Sequence, residues 1–339
     1  MFDLVSVIIP LYNAEEYLER AVESALQFEE VLEVLIIEDG SPDASYEMAL
    51  TLRDRYPDRI RLFQHPHGKN LGAGPSRNLG LDMAKGEFIA FLDADDFFLS
   101  HRFEKERIIF SQHTDADGVY GAIGVHYYSE EAKRIFCEQT ATEINNADTY
   151  MTTVRRVFPP EKLFAALWGV GEKNEGYFSL DAFTIRKSAI EKYQLRFDTT
   201  LRLHQDTEFL CRCAFYCRLL PGSIDEPVSV RGVHDENRMI SRKKPEQIAR
   251  NRFLFYDVVY RWSLKENLQP PFQTHFKVQR VLFLLQSVTG IQRLKVWWNL
   301  YRTEKDFLTN REYRPLHQKV FRHPFLKKCY LFLLGINSR

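Results

Sequence analysis

The chain reads as an α/β protein, a sheet flanked by helices, followed by a separate helical C-terminal segment. Three observations predict this. Over roughly the first hundred residues, short apolar runs alternate with stretches of helical spacing, the pattern of strands that feed helices and line up side by side. Clusters of polar residues fall directly after those runs, where ligands of open α/β sheets bind. From residue 245 onward the pattern is helical and basic instead, broken at Pro270-Pro271, Gly290 and Pro315.

Residues 5–10 (VSVIIP) form a continuous apolar run, as expected of a strand buried on both faces. Residues 17–26 carry helical spacing in Leu18, Val22 and Leu26. A second run at 34–37 precedes an Ala-, Leu- and Arg-rich helix over 44–55. A third at 60–63 precedes a helix over 74–84, and the run 87–92 (EFIAFL) follows. This alternation predicts parallel strands covered on both faces. After about residue 115 it loosens. Residues 119–128 and 177–185 read as strands, 206–216 as a helix, and 227–233 as a strand or loop. No internal repeat or low-complexity linker interrupts the chain.

Charge divides the 339 residues. Lys and Arg total 46 and so do Asp and Glu, yet residues 240–339 hold 20 basic against 6 acidic side chains. The remainder is therefore acidic, with 26 against 40. This predicts an acidic catalytic domain over 1–240 and a basic, aromatic-rich helical region over 241–339 that faces an anionic partner. A composition 45% hydrophobic and 27% charged excludes a disordered chain. The cysteines are Cys137, Cys211, Cys213, Cys217 and Cys329. An odd number without paired spacing argues against a disulfide framework. Zinc would need a second pair and usually a His beside Cys213 and Cys217, so buried structural thiols are expected. Met1-Phe2-Asp3-Leu4 lacks a basic signal region, and no run approaches the roughly 20 apolar residues of a membrane span. A cytoplasmic location is the expectation.

Chemistry concentrates in three polar clusters. Asp93-Ala94-Asp95-Asp96 follows the fourth apolar run, and three carboxylates there repel one another unless a cation shares them. Their hard oxygens suit Mg²⁺ or Mn²⁺, which commonly bridge substrate phosphates. A solvated turn before a helix N-cap is the alternative. Glu38-Asp39-Gly40-Ser41-Pro42-Asp43 follows the second run. A carboxylate there can accept from a nucleobase imide or a ribose; an ordinary loop with Asp43 as N-cap is the alternative. Gly72–Asn78 is a glycine turn opening a helix, with Arg77 placed to pair with phosphate. The dinucleotide fingerprint fails because Arg77 occupies the place of its third glycine.

The runs VSVIIPLYNAEEYL (5–18), IIEDGSPD (36–43), GAGPSRNLGLDMAKGEFIAFLDADD (72–96) and HQDTEFLCR (204–212), in that order, resemble a family 2 glycosyltransferase. The resemblance covers about residues 4–235. It implies the GT-A fold: a Rossmann-like, nucleotide-binding mixed sheet flanked by helices. It also implies a nucleotide-sugar donor, usually UDP-linked, and an inverting hexosyl transfer. Asp39 matches the aspartate that contacts the base, with Pro10, Tyr12 and Asn13 beside the nucleotide. Asp93 and Asp95 match the D-x-D pair, Asp93 nearer the ribose and Asp95 on a Mn²⁺ or Mg²⁺ ion, with Ala94 between them. Asp206 matches the catalytic base, although its usual companion Glu is Gln205 here, which bears on acceptor contacts. A helix N-cap is the alternative for Asp206. Arg231-Gly232-Val233-His234 and Arg238 resemble an Arg-x-x-His loop that folds over the diphosphate. His234 then lies near the metal or a phosphate; a satisfied loop histidine is the alternative. Trp168 and residues 169–177 lie where the acceptor loop often sits, with Gly169, Gly171 and Gly176 as hinges.

The expected reaction is sugar transfer from UDP to a glycan or lipid-linked glycan in bacterial surface-polysaccharide synthesis. A degenerate transferase serving as an assembly subunit is one alternative. The other is a D-x-D aspartyl phosphatase of the haloacid dehalogenase group, which normally carries Thr or Val in place of Phe97. For residues 246–339, basic helices with interleaved aromatics fit an anionic membrane surface, peripheral on the inner face of the cell membrane. A bundle packing on the catalytic domain, or a homodimer, is the alternative. No recognition motif supports nucleic acid.

Overall fold

A computed structural model of the chain describes residues 4–140, 150–151, 159–171, 176–235 and 244–303. Contacts divide the chain into two units, Met1–Ser241 and Arg242–Arg339. In the first, β1 (Val5–Leu11) leads to α1 (Glu15–Leu26), and β2 (Val31–Glu38) to α2 (Ser45–Arg55). Next, β3 (Ile60–Gln64) leads to α3 (Ala73–Met83), followed by β4 (Phe88–Phe91). The less regular part holds β5 (Phe97–Phe98), α4 (Glu104–Gln112), β6 (Gly118–Tyr120), β7 (Ala122–Tyr127), α5 (Glu130–Thr140) and β8 (Tyr150–Met151). It ends with α6 (Pro160–Trp168), β9 (Phe183–Arg186), α7 (Lys187–Lys192), α8 (Gln205–Tyr216), β10 (Leu219–Pro221) and β11 (Pro227–Val233).

Seven strands form the main sheet in the order β10-β6-β9-β4-β1-β2-β3, and a smaller sheet runs β5-β11-β7-β8. Strands β4, β1, β2 and β3 are parallel, as their alternation with helices predicts. β9 departs from that rule. It runs antiparallel to both β4 and β6, and a 3₁₀ turn, Leu180–Ala182, leads into it. The main sheet is therefore mixed. The predicted strand 119–128 is likewise two, β6 in one sheet and β7 in the other, divided at Gly121.

Burial explains the order. Val5, Val7, Ile9 and Leu11 of β1 pack with Leu18, Ala21, Val22 and Ala25 of α1 and with Val34 and Ile36 of β2. Removing one such side chain to Ala costs about 2–5 kcal/mol. On the other face α3 lies so close that a Cβ on Gly80 would sit 2.4 Å from Ile8. Register then sets the site. Leu11 pairs with Glu38 across β1 and β2, and Ile8 with Phe91 across β1 and β4. The three strands thus release their chains at one edge of the sheet. Cys211, Cys213 and Cys217 are buried in and just after α8, as expected of structural thiols. Burial pushes all three thiols up, Cys217 to about 12, which keeps them protonated and unreactive.

The second unit begins with α9 (Pro245–Lys265), α10 (Pro270–Gln286) and α11 (Gly290–Thr303). Tyr256 stacks on Phe283 at 5.5 Å, and Arg280 Nε donates to Asp257 Oδ1, joining α9 to α10. On α11, Ile291, Lys295, Trp298 and Arg302 recur at helical spacing on one exposed face. Ile291 is 72% and Trp298 50% exposed, whereas Trp297 is buried. Among the described residues no helix is long and apolar enough to cross a membrane. Pro315, Cys329 and the aromatic run 329–334 lie outside the described residues.

Candidate active site

Beyond β1 the chain turns through Tyr12 and Asn13 and is stapled to the loop after β2. Ser41 Oγ accepts the Asn13 amide at 3.2 Å, and Ser45 Oγ accepts the Ala14 amide at 2.9 Å. Asp43 joins the same staple, its Oδ2 accepting the Glu15 amide and its Oδ1 the Ser45 amide. Glu38 accepts from the Ser41 amide and from Gln64 Nε2. Burial alone would push its carboxyl up, but these donors outweigh burial and hold it below the usual carboxylate range. Asp39 is only 3% exposed. Its Oδ1 accepts the Leu71 and Gly72 amides at 2.7 and 3.1 Å, and its Oδ2 accepts the Gly72 amide at 2.8 Å. The carboxylate expected to meet a nucleobase thus also ties the β2 end to the loop opening α3, with one Oδ2 lone pair left over.

Arg77, in the first turns of α3, is buried, and its Nη2 donates to Asp93 Oδ1. Burial works against its charge, but Asp93 and Asp206 nearby keep the guanidinium firmly protonated. The arginine expected to hold phosphate is therefore paired with the first Asp of D-x-D, while its Nε has no hydrogen-bond partner among the described residues.

The D-x-D turn closes through the Asp96 amide, which donates to the Asp93 carbonyl at 3.1 Å. Asp93, Asp95 and Asp96 bring one carboxylate oxygen each to within 4.8 Å of one another. Asp96 is buried, and its Oδ1 accepts the Gly232 amide at 2.9 Å. Asp95 Oδ2 lies 3.3 Å from His234 Nε2, whose ring stacks on Tyr17 at 4.4 Å. Below the turn lies Asp181, whose Oδ1 accepts the Asp93 amide at 3.1 Å. Burial first, and the neighbouring carboxylates second, push Asp96 well up and Asp181 up. Arg231 reaches among them. Burial opposes its charge, but Asp96, Asp181, Asp93 and Asp206 surround it. Arg231, Gly232 and Val233 belong to β11 rather than to a loop, and only His234 lies past the strand. Glycine is needed there, since a Cβ on Gly232 would sit 2.1 Å from the Asp95 carbonyl oxygen. Arg238 lies outside the described residues.

These strand ends surround a cavity of about 340 Å³ lined by Pro10, Tyr12, Asn13, Asp39, Arg77, Asp93, Ala94, Asp95 and His234. The structure thus brings every expected binding residue together at one edge of the sheet. Asn70, Arg202 and Leu203 complete the rim, and Arg202 Nη1 donates to Asn70 Oδ1 at 2.9 Å. Asp206 is not among the lining residues. It stands in the first turn of α8 behind His204, the residue at the cap position, so it is not the N-cap. Its field reaches both Arg77 and Arg231. Gln205, expected near the acceptor, is buried against Gly74 of α3. Trp168 is buried at the end of α6, and residues 172–175 of the expected acceptor loop lie outside the described residues.

The donor set fits a hard divalent cation at Asp93 and Asp95, whose partly exposed carboxylates face the cavity beside His234. Asp96 fits less well, being buried and committed to Gly232. Sequence reasoning missed Asp181. Its one local signal was an acid between the apolar residues Leu180 and Ala182.

A nucleotide-sized cavity at the strand ends of a mixed sheet, floored by a D-x-D turn, defines a GT-A architecture. The match of residues 6–193 to glycosyl transferase family 2 fixes the class: the chain belongs to that family. The fold is shared with S. aureus TarS. Its 1–349 segment, solved in complex with UDP-GlcNAc, aligns with a TM-score of 0.56 at 17% identity, covering 92% of this chain and 78% of that one. The Bacillus subtilis uncharacterized glycosyltransferase EpsJ is 25% identical over 276 residues, 80% of this chain and 69% of EpsJ. The B. subtilis minor teichoic acid biosynthesis protein GgaA is 33% identical over 134 residues, 38% of this chain and 29% of GgaA. An uncharacterized glycosyltransferase of Haemophilus influenzae is 41% identical over 104 residues, 30% of this chain and 40% of that protein. The chain thus spans under half the length of two of these relatives.

Proposed function

We propose that this chain is an inverting, metal-dependent glycosyltransferase that moves a hexosyl group from a UDP donor to a glycan or lipid-linked glycan acceptor. The observation that carries the reading is the convergence of Tyr12, Asn13, Asp39, Arg77, Asp93, Asp95 and His234 on one cavity at the strand ends. Family membership supports it, and so do the UDP and UDP-GlcNAc complexes of TarS. The teichoic acid role in the name of GgaA favours a surface polymer as acceptor.

In this reading the remaining Asp39 lone pair accepts from the base, with Pro10, Tyr12 and Asn13 beside the nucleotide. Asp95, assisted by Asp93 and His234, would hold Mn²⁺ or Mg²⁺. Such an ion, when bound, neutralises charge developing on the departing diphosphate. Arg77 then divides its guanidinium between Asp93 and the anionic donor, which its unpartnered Nε favours. Asp206 takes the proton of the acceptor hydroxyl, since single displacement with inversion needs one base.

The basic region 241–339 is assigned to an anionic membrane surface at the cytoplasmic face, where a lipid-linked acceptor would lie. The α11 face of Ile291, Lys295, Trp298 and Arg302 supports this, because exposed aromatics interleaved with cations suit headgroups. Full-length protein should float with vesicles containing anionic lipid, more weakly at physiological than at low salt. Equal, negligible binding to neutral and anionic vesicles would assign the region to packing or dimerisation instead. The reaction itself is tested by following UDP release from a panel of UDP-sugars with Mn²⁺, with Mg²⁺ and with chelator. Metal-dependent release from at least one sugar is expected. Neither release nor binding of any UDP-sugar would leave an assembly subunit as the better account.

A further inference from the structure

The D-x-D turn is anchored by a carboxylate that belongs to no motif in the sequence. Asp181 follows Asp93 by 88 residues and accepts its amide on Oδ1 at 3.1 Å. Its Oδ2 accepts the Ser179 hydroxyl at 3.0 Å, and its carbonyl accepts Arg102 Nε at 3.1 Å. Arg102 is itself fully buried and fixed by Glu106 and Thr184. Asp181 is 2% exposed and is not among the residues lining the cavity. Its tie to the cavity runs through the Asp93 amide.

We propose that Asp181 is a positioning residue, which fixes the Asp93 amide so that the Asp93 and Asp95 carboxylates face the cavity together. Crowded carboxylates push the turn apart. The bond from the Asp96 amide to the Asp93 carbonyl resists this within the turn. The Asp181 and Gly232 bonds tie its two ends to separate elements, the 3₁₀ turn before β9 and strand β11. An acid buried at this point is costly unless its bonds are needed, and an apolar side chain would pack at lower cost. Metal sites depend on such supports, because geometry has to hold to about 0.5 Å.

The inference rests on the metal reading above, and UDP affinity measured by calorimetry with and without Mn²⁺ separates the two. Full-length wild type, Asp181→Ala and Asp181→Asn are compared. Asn keeps the Oδ1 acceptor, while Ser179 can turn to accept from the new amide. Loss of a support of this kind typically costs about 10–100-fold in metal affinity, so Asp181→Ala should lose at least about 10-fold of the Mn²⁺-dependent gain in UDP affinity. Its metal-free UDP affinity should stay within about threefold of wild type, and Asp181→Asn should recover most of the gain. A folded Asp181→Ala protein with the full gain overturns the positioning role and leaves the metal reading intact. Wild type without any Mn²⁺-dependent gain overturns both. Should Asp181→Ala fail to fold, Ser179→Ala releases Oδ2 instead; an unchanged gain there overturns the proposal, and a reduced one supports it.

Discussion

Two acidic strand ends frame the cavity with the same residue types in opposite electrostatic states. At the end of β2, Asp39 faces the Leu71 and Gly72 amides, and Glu38 faces the Ser41 and Gln64 amides, which more than offset its burial and hold it below the usual range. Past the end of β4, Asp96, together with Asp181 from the turn before β9, faces other carboxylates as well as donors, and both are pushed up. Arg77 and Arg231 supply the cations on that side and leave it crowded with acids. The difference lies in the donors rather than in the acids. One end is a finished structural staple; the other is electrostatically suited to a further cation.

Asp206 belongs with the second end, because the same two arginines face it. Asp206→Asn should keep UDP affinity yet slow sugar transfer by at least about 10²-fold, as expected for loss of a general base. Single-turnover rates with saturating donor check this. Near-wild-type turnover would detach Asp206 from the chemistry and leave the comparison with two acidic ends only.

The next effect sharpens the contrast directly. Asp95→Asn removes one anionic oxygen from a small set. It should cost about 10²-fold or more of the metal-dependent UDP affinity while leaving the fold intact. Undiminished metal-dependent binding would show that the β4 end is as complete without a cation as the β2 end.

Legibility in the sequence follows the same division. The strands of β1, β2 and β4 are readable because a parallel strand buried on both faces is a continuous apolar run, as in VSVIIP. The acids after them are readable because they are adjacent in sequence. What was not readable depends on distant apposition. Phe183–Arg186 has no feature that marks it as antiparallel, and its direction shows only in its pairing with β4 and β6. Residues 227–233 stood between strand and loop because their pairing with β5 and β7 is set from far away. The Arg77–Asp93 pair, the seating of Gln205 on Gly74 and the Asp181 bond all join separate segments. Binding residues converge because register aligns the strand ends, which individual motifs do not encode.

Breaking the β2 end should affect stability more than chemistry. Asp39→Ala leaves the Leu71 and Gly72 amides without their acceptor in a partly exposed loop. An orphaned buried donor costs about 1–3 kcal/mol, and water can reach the exposed Leu71, so a loss of about 1–2 kcal/mol is expected. Urea unfolding of the variant measures it. A loss below about 0.5 kcal/mol, with UDP binding abolished, would mean that Asp39 serves the ligand and not the loop.

The smallest effect is the pH dependence carried by Glu38. Its folded-state carboxyl lies below the ordinary value because the Ser41 and Gln64 donors outweigh burial. A depressed carboxyl stabilises the fold fully above the unfolded-state value, about 4.3 for Glu, and loses that contribution as pH falls through the folded value. Glu38→Gln keeps an acceptor oxygen but not the charge. The variant should therefore melt below wild type at pH 6–7, and the gap should narrow as pH drops under about 4. The gap will not account for the whole acid limb. Glu33 is depressed as well: burial opposes its charge, but Arg61, the Lys85 amide and Ser6 prevail. Glu33→Gln in the same series should narrow in the same direction, and the double variant should flatten the acid limb further. A melting gap for Glu38→Gln that stays constant from pH 7 to 3 would show that the charge contributes nothing at the β2 end. The two acidic strand ends would then differ only in shape.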